Sequence, residues 1–242
     1  MNLKLIYMTY RDVKDLIEKG YTNLIIPIGT LEAHGPHLPI GTDILIPEII
    51  AESIAEKIKA LIAPAIPYGV TTSLLRYHGG TSVSEKTLEQ MIVEIIRNFN
   101  PYGFDVFIII NGHGGNINPI RNAVRYLWKE SRIKSIVIHW WIYAGSITEK
   151  IFGEPGGHAG VDETSMILAT HPQLVKKIDI DSEVTIVKRG LEVYPSAGSL
   201  ILYEEDKGRP IFDIDLSKKY FNAVIRELLS EINDLIKKLK AI

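Results

Sequence analysis

Val106-Phe107-Ile108-Ile109-Ile110 is a run of five apolar residues, and it decides the fold. A strand that is apolar at every position is covered on both faces, which is typical of a parallel sheet between layers of helices. A second short apolar run, Leu24 to Ile28, ends at Gly29 and predicts another buried strand. Both runs are far shorter than the ~20 residues of a membrane-spanning helix, so we expect no membrane contact.

Helical patterns alternate with these strands along the chain. Apolar spacing predicts helices over residues 44–60, 119–129 and 162–169 and from Ser217 onwards, and a further strand over 135–141. Ser82 followed three residues later by Glu85 is a capping-box signature for one more helix. This alternation predicts an α/β fold, a three-layer α/β/α arrangement with a mostly parallel central sheet. No repeat or linker interrupts it, so residues 1–242 are predicted to form a single domain.

The overall composition excludes several classes of function. The chain has 27 Lys and Arg against 29 Asp and Glu, a net charge of −2, so there is no basic excess for nucleic-acid binding. The absence of cysteine excludes disulfides, thiolate nucleophiles and cysteine-based zinc sites. No secretory signal is visible at the N-terminus, and we therefore expect a cytoplasmic protein.

Three polar clusters are predicted to lie directly after apolar strands, at residues 29–43, 111–116 and 156–165. Ligands of open α/β sheets bind at the carboxyl ends of the strands, so these clusters are the candidate site. Four of the seven histidines fall within them, namely His34, His37, His113 and His158.

The first two clusters carry a set of metal-ligand residues. Glu32 and His34 are two residues apart, so in an extended segment their side chains point to the same side. Asp43 follows a Gly- and Pro-rich loop that can fold back, and His113 would reach the same edge from a neighbouring strand. Imidazole with carboxylate suits zinc, manganese or iron(II). Such a set is enough for a two-metal centre, in which ions about 3.5–4 Å apart activate a bridging water.

The three clusters together resemble the creatininase (creatinine amidohydrolase) family and follow its motif order between residues 29 and 165. The resemblance implies a creatininase-like fold and a metal-dependent amidohydrolase. The substrate would be a small non-peptide amide, either a cyclic amide such as creatinine or a formamide. A hydroxide between two divalent ions per subunit (Zn, Mn or Fe(II)) would attack its C–N bond. The resemblance also implies a homo-oligomer, with a hexamer as the expected form.

The resemblance assigns roles to individual residues. Glu32, His34, Asp43 and His113 would be metal ligands, with Asp43 bridging. His158 is placed like the family's catalytic histidine, which would give a proton to the leaving nitrogen or stabilise the tetrahedral oxyanion. The alternative for His158 is a group that caps the N-terminus of a helix. Creatininase carries a glutamate where this chain has Gly115, and Glu163 is our candidate to complete the shell of the first metal. Two alternatives for Glu163 are a catalytic proton shuttle and an ordinary acid in the first turn of a helix.

The departure at Gly115 leaves the substrate open. The Gly114-Gly115 version is similar to formamidopyrimidine nucleotide deformylases of flavin and deazaflavin biosynthesis, and to a metallopeptidase that trims a redox-peptide precursor. A function of a different class is a catalytically silent binding or assembly protein that keeps the loops as structure.

Several other histidines and aromatic residues have alternative roles. His37 is interpreted either as a residue that supports the site or contacts substrate, or as a surface histidine. His78 is interpreted as a loop histidine, and His139 and His171 as structural. Three aromatic residues are expected to end a strand, where they either wall the pocket or pack in the core: Trp140, Trp141 and Tyr143.

Overall fold

The central sheet has four strands, all parallel, in the computed structural model, which describes residues 1–188 and 190–242. Its spatial order is β2-β1-β3-β4, where the strands are β1 (Asn23–Ile28), β2 (Ala60–Ile62), β3 (Val106–Asn111) and β4 (Ser135–His139). A second, two-stranded parallel sheet pairs β5 (Val184–Ile186) with β6 (Leu200–Leu202).

β1 and β3 form the middle of the sheet and are buried along their whole length. They pair in parallel from Asn23 opposite Val106 to Ile28 opposite Asn111. Because side chains of a strand alternate between faces, burial at every position means that both faces are covered. The predicted α/β fold with a parallel central sheet is confirmed.

Seven α-helices surround the sheet within the described residues: α1 (Tyr10–Glu18), α2 (Thr42–Ile54), α3 (Glu85–Phe99), α4 (Ile117–Ser131), α5 (Trp140–Phe152), α6 (Val161–Thr170) and α7 (Ile214–Lys240). α3 packs against α4, which also contacts β4. α7 packs against α5 and α6 and reaches β3, while α2 contacts β1, β3 and α6. No helix in the described ranges is both long and apolar enough to cross a membrane.

The predicted helix over 44–60 is wrong at its C-terminal end. α2 ends at Ile54, and residues 60–62 form the edge strand β2, which pairs with β1. Lys59 has a φ of 48°, a left-handed conformation that cannot continue a helix and turns the chain into the strand. The apolar spacing runs on through this turn, so periodicity alone could not reveal it.

The predicted strand over 135–141 is also too long. β4 ends at His139, and Trp140 begins α5, a helix that the sequence reading missed. Trp140 is 1% exposed and packs in the core, whereas Trp141 stays partly exposed in the first turn of the helix. The aromatic residues therefore belong to a helix start and not to a strand end.

The predicted capping box at Ser82 and Glu85 is wrong, although the predicted helix is present as α3. The N-cap of α3 is Ser84, whose hydroxyl accepts the backbone N–H of Thr87. The Ser82 hydroxyl instead accepts the N–H of Thr71 in a neighbouring loop.

Replacing Ser84 by alanine is expected to lower the free energy of unfolding by about 1 kcal/mol, because the first turn of α3 loses its cap. Urea unfolding measures the change. Ser84→Asp keeps an oxygen acceptor at the same position and should retain wild-type stability. Equal stability of the alanine and wild-type proteins would contradict the assignment of this cap.

Candidate metal centre

Asp43 stands at the centre of the candidate site, in the first turn of α2. Its Oδ1 lies 2.9 Å from Nε2 of His34, and its Oδ2 lies 2.9 Å from Nδ1 of His113. Glu32 Oε1 is 3.1 Å from the same nitrogen of His113. Glu163 Oε2 is 3.6 Å from the same nitrogen of His34. The five side chains predicted as ligands thus lie together, in two halves that share one aspartate.

The ligand atoms of each half are close enough to hold one ion. Those of Glu32, Asp43 and His113 lie within 4.8 Å of one another, and the same is true of His34, Asp43 and Glu163. We call these groups the His113 half and the His34 half. A third group within the same limit combines Glu32, His34 and His158.

Backbone carbonyls fix which nitrogen of each histidine faces the carboxylates. His34 Nδ1 donates its hydrogen to the Glu32 carbonyl at 3.1 Å, and His113 Nε2 donates to the Val70 carbonyl at 2.9 Å. His158 Nε2 donates to the Ala33 carbonyl at 2.7 Å. A carbonyl only accepts, so in each ring the bonded nitrogen keeps its hydrogen and the other is left free to bind an ion. Metal-binding histidines are commonly oriented in this way.

Two glycines allow the backbone of Asp43 to lie against the ends of β1 and β3. A Cβ on Gly29, directly after β1, would lie 2.2 Å from the Asp43 carbonyl oxygen. A Cβ on Gly112, directly after β3, would lie 1.9 Å from the same oxygen. Since neither position has room for a side chain, the backbone sets how far Asp43 stands from both strands.

Four carboxyl groups are buried in this small region. The residues are 2–7% exposed: Asp43 2%, Glu32 3%, Asp162 5% and Glu163 7%. Burial raises the pKa of Asp162 to about 6. Burial, together with the negative charges of Asp43 and Asp162, raises the pKa of Glu163 well above its ordinary value. A bound cation would favour the ionised forms of these carboxyl groups.

The histidines respond to this negative charge. Burial opposes a charged imidazole, yet the carboxylates of Asp43 and Glu163 raise the pKa of His34 to about 10. Glu32 and Asp43 likewise raise the pKa of His113 well above 6.5, against the effect of burial. Without an ion, protons on these rings balance the carboxylates. A divalent ion would displace them, as linkage between metal and proton binding requires. The donor set and its charge therefore fit divalent metal.

His158 reaches the centre from the loop between α5 and α6, so the prediction that its cluster directly follows a strand is wrong. Its backbone exchanges hydrogen bonds of 2.9 and 3.0 Å with Ile201 of β6. Its ring centroid lies 4.3 Å from that of His34, and its Nδ1 lies 3.6 Å from Glu32 Oε1. Burial and the nearby His34 lower the pKa of His158 to about 4. The ring is therefore neutral near pH 7, with Nδ1 free to accept a proton.

A tight turn connects His158 to Glu163. Ala159 has a φ of 57°, which is uncommon for a residue with a side chain. Its N–H donates to Glu163 Oε2 at 2.6 Å. On the other side of the turn, Asp162 Oδ1 accepts the N–H of Gly157 at 3.1 Å. The two acids at the start of α6 therefore hold the loop that carries His158, and Asp162 was not singled out from the sequence.

A sequence profile of the Creatininase family, described as creatinine amidohydrolase, matches residues 7–194, a range that contains both halves of the centre and His158. The chain belongs to the creatininase family. The resemblance inferred from the three motifs is thereby confirmed, and with it the prediction of a hydrolase.

Relatives within the creatininase family act on different substrates by name. Creatinine amidohydrolase of Pseudomonas putida is 29% identical over 195 residues, which cover 73% of this chain and 74% of that enzyme. The mycofactocin precursor peptide peptidase of Mycobacterium ulcerans is 32% identical over 166 residues, covering 64% of this chain and 61% of the peptidase. A 2-amino-5-formylamino-6-ribosylaminopyrimidin-4(3H)-one 5'-monophosphate deformylase of Methanothermus fervidus is 29% identical over 225 residues, covering 88% of this chain and 84% of the deformylase.

Solved creatininase structures share the fold. A single-residue mutant of creatininase superposes with a TM-score of 0.80 at 23% identity and covers 98% of both chains. Two further neighbours, at the same identity and coverage of both chains, are a mutant creatininase described as Zn-Zn type and a form described as creatininase Mn, with TM-scores of 0.79 and 0.74.

Gly115 has no room for a side chain in this structure. A Cβ at this position would lie 2.0 Å from the Val70 carbonyl oxygen and 2.9 Å from His113 Nε2. A glutamate therefore does not fit here without moving the Val70 loop. Glu163, our candidate for completing a metal shell, lies with the His34 half, where its Oε2 is 3.6 Å from His34 Nε2.

A cavity of about 990 Å³ opens beside the centre. Its floor includes Glu32, Asp43, His113, His158 and Glu163. Its walls come from other segments: residues 72–74, Trp141 and Ile142 of α5, and residues 191–194. Pockets of roughly 300–1,000 Å³ hold drug-sized molecules, so this one admits substrates larger than a single small ring.

The remaining histidines lie outside the centre. His37 is buried and its Nε2 lies 2.9 Å from the Thr164 hydroxyl, next to Glu163 in sequence. His78 is exposed and does not line the cavity. His139 accepts a hydrogen bond from Asn111 at 3.0 Å, and His171 Nδ1 lies 3.1 Å from the Thr170 hydroxyl. These contacts agree with structural roles for His139 and His171.

Asn111 is a supporting residue that sequence reasoning did not single out. Its Oδ1 accepts the N–H of His113 at 3.1 Å, and its Nδ2 donates to the His113 carbonyl at 2.8 Å. The side chain thus fixes the backbone of His113 directly after β3. A polar residue that is fully buried at the end of an apolar strand was the available signal.

Proposed function

We propose that this chain is a metal-dependent amidohydrolase that cleaves the C–N bond of a non-peptide amide, either a cyclic amide or a formamide. The observation that carries the proposal is the pair of His and carboxylate groups that share Asp43 at the floor of the cavity. The creatininase relatives, which include a creatinine amidohydrolase and a deformylase, support the same class of reaction.

The chain offers ligands for two divalent ions. Glu32 and His113 would hold one, His34 and Glu163 the other, and Asp43 would contact both through its two oxygens. Zn²⁺, Mn²⁺ or Fe²⁺ suits this donor set. When bound, the ions would polarise the amide carbonyl and make a water molecule a better nucleophile.

His158 is proposed to carry the proton that hydrolysis moves from water to nitrogen. Its Nε2–H is held by the Ala33 carbonyl, so Nδ1 is the atom available for transfer. Nδ1 accepts a proton as the water oxygen bonds to the carbonyl carbon. It then delivers this proton to the departing nitrogen, and the products are a carboxylic acid and an amine. Glu163 accepts the N–H of Ala159, the residue after His158. Its alternative role is that of a proton shuttle.

The cavity leaves three substrate types to be separated. A small cyclic amide would fill little of its 990 Å³. A formylated pyrimidine nucleotide would use more of this space, and the match to the deformylase extends over 88% of this chain. A peptide would need a groove long enough for a chain terminus. The buried ligand set argues against a silent binding protein, since burying several carboxylates and histidines together costs desolvation energy.

We also propose that the protein works as a homo-oligomer in the cytoplasm, with a hexamer as the expected form. Large apolar side chains exposed at the mouth of the cavity support a partner surface there: Ile142, Leu191 and Tyr194. Analytical ultracentrifugation of the purified protein measures the assembly. A monomer at micromolar concentration would contradict it.

A substrate panel tests the proposed reaction. Purified protein loaded with Zn²⁺ or Mn²⁺ is expected to hydrolyse at least one member of a panel of cyclic amides, formamides and formylaminopyrimidines, with amine release as the readout. Removing metal with a chelator should abolish turnover, and adding it back should restore turnover. Hydrolysis of peptide C-termini alone would favour the peptidase. A protein that binds no divalent metal would favour the silent binding protein.

A further inference from the structure

Asn116 is a fully buried asparagine close to His113 whose side chain contacts two backbone segments. Its Oδ1 accepts the N–H of Val70 at 2.9 Å, and its Nδ2 donates to the Gly29 carbonyl at 3.1 Å. The side chain therefore ties the loop that contains Val70 to the end of β1. Both hydrogen-bonding ends of the amide are used, so an alanine or a purely accepting side chain cannot replace it.

The loop held by Asn116 supplies the carbonyl that orients His113. The Val70 oxygen accepts the Nε2–H of His113 at 2.9 Å. With that nitrogen engaged, Nδ1 faces Asp43 Oδ2 at 2.9 Å and Glu32 Oε1 at 3.1 Å. A shift of the Val70 carbonyl would release the ring from this orientation.

Close packing shows how little freedom this arrangement has. A Cβ on Gly69 would lie 2.4 Å from Asn116 Oδ1 and 2.6 Å from the Gly29 carbonyl oxygen. Glycine at 69 thus lets the asparagine amide reach across both backbones. Gly115 also packs closely against the Val70 carbonyl, because a Cβ added at position 115 would lie 2.0 Å from that oxygen.

We propose that Asn116 is a positioning residue for the His113 half of the metal centre, acting through the backbone of Val70. By holding this backbone, it keeps the carbonyl that orients His113 toward Glu32 and Asp43. The inference rests on the proposed function, because it presumes that the His113 half binds metal. It adds a residue from the start of α4 that contacts neither substrate nor metal.

Zinc affinity of the full-length protein tests the role of Asn116. Chelator-stripped protein is titrated with Zn²⁺ against a competing indicator, which resolves two sites if their affinities differ. Asn116→Ala is expected to weaken one site about 10-fold or more, the lower end of the range for residues that support a metal ligand. The other site should change much less, because the hydrogen bonds of His34 and Glu163 run to Glu32, Asp43 and Ala159.

Asn23→Ala is the matched control. Asn23 is also a buried asparagine, donates from Nδ2 to the Ile58 carbonyl at 2.6 Å, and lies at the opposite end of the same strand, β1. Its loss should lower stability in urea and leave both zinc affinities unchanged. Should Asn116→Ala lose stability like Asn23→Ala but bind zinc like wild type, Asn116 is merely structural and the inference is overturned.

Gly115→Ala gives an independent test that does not remove the asparagine. The added methyl group would push the Val70 carbonyl away from His113, so the same zinc site should weaken. If Asn116→Ala does not fold, the result for Gly115→Ala decides, and wild-type affinity of both sites would overturn the inference. If the wild-type protein itself binds no zinc, manganese or iron, the proposed function fails and the inference fails with it.

Discussion

Replacing Asp43 by alanine is expected to abolish stable binding of both metal ions while the fold survives. Each half of the centre loses a ligand, because Oδ1 faces His34 and Oδ2 faces His113. The backbone contacts of Asp43 with Gly29 and Gly112 do not involve the carboxylate and remain. Metal content after dialysis against Zn²⁺ or Mn²⁺, measured by elemental analysis, gives the occupancy, and circular dichroism reports the fold.

Asp105→Ala is the control for removing an aspartate. Asp105 accepts a hydrogen bond from Thr22 and forms a salt bridge with Lys240, both outside the metal centre. Its loss should therefore leave the metal content unchanged. Single-half variants refine the result: His113→Ala should empty one half and His34→Ala the other. Full occupancy of both metal sites in Asp43→Ala would contradict the assignment of Asp43 as the shared ligand.

Replacing His158 by glutamine is expected to lower kcat by a factor of about 10²–10⁴, the usual contribution of a positioned proton carrier. Glutamine can still donate to the Ala33 carbonyl, as Nε2 of His158 does at 2.7 Å. It has no counterpart of Nδ1, so proton transfer to the leaving nitrogen is lost while the loop stays in place. Steady-state kinetics on the best substrate of the panel measures the change.

Metal content of the same variant separates two roles for His158. A proton carrier leaves both ions bound, whereas loss of an ion would identify His158 as a ligand of the third group, with Glu32 and His34. His78→Gln is the control, because His78 is an exposed loop histidine outside the cavity and its loss should not alter kcat. Wild-type kcat in His158→Gln would refute a catalytic role.

Local sequence patterns correctly predicted the two central strands of the sheet and the residues that meet at their carboxyl ends. The apolar run at 106–110 predicts a strand covered on both faces, and β3 is buried at all six positions. Parallel strands bring their carboxyl ends to one edge, which is why residues after β1 and β3 meet at Asp43. The same logic brought His113 to Glu32, although 81 positions separate them in the printed sequence.

Features that depend on distant contacts could not be predicted from the sequence. β2 has only three residues and is defined by its pairing with β1, while apolar spacing there equally suits a helix. Trp140 and Trp141 suit a strand by composition, yet they form the first turn of α5, in which Trp140 packs into the core. Val70 contacts His113 through its backbone carbonyl, which every residue type has. The residue type at position 70 therefore could not predict this role.

The second sheet lies beyond the motifs that identified the family. β6 pairs with His158 through Ile201, so a segment with no diagnostic residues positions the proposed proton carrier. Residues 191–194 line the cavity from the same region. Substrate identity resisted prediction for this reason: the motifs encode the ligands, whereas the walls that select a substrate come from segments without a motif.

The contacts of Gly29 and Gly112 with Asp43 give a way to sort related sequences. Each glycine leaves less than 2.5 Å between a would-be Cβ and the Asp43 carbonyl oxygen. A relative that keeps every acid and histidine but carries a larger residue at either position must hold its counterpart of Asp43 elsewhere. Among homologues, these two positions without chemical function would therefore separate chains that can assemble the proposed metal centre from chains that have only inherited its ligand residues.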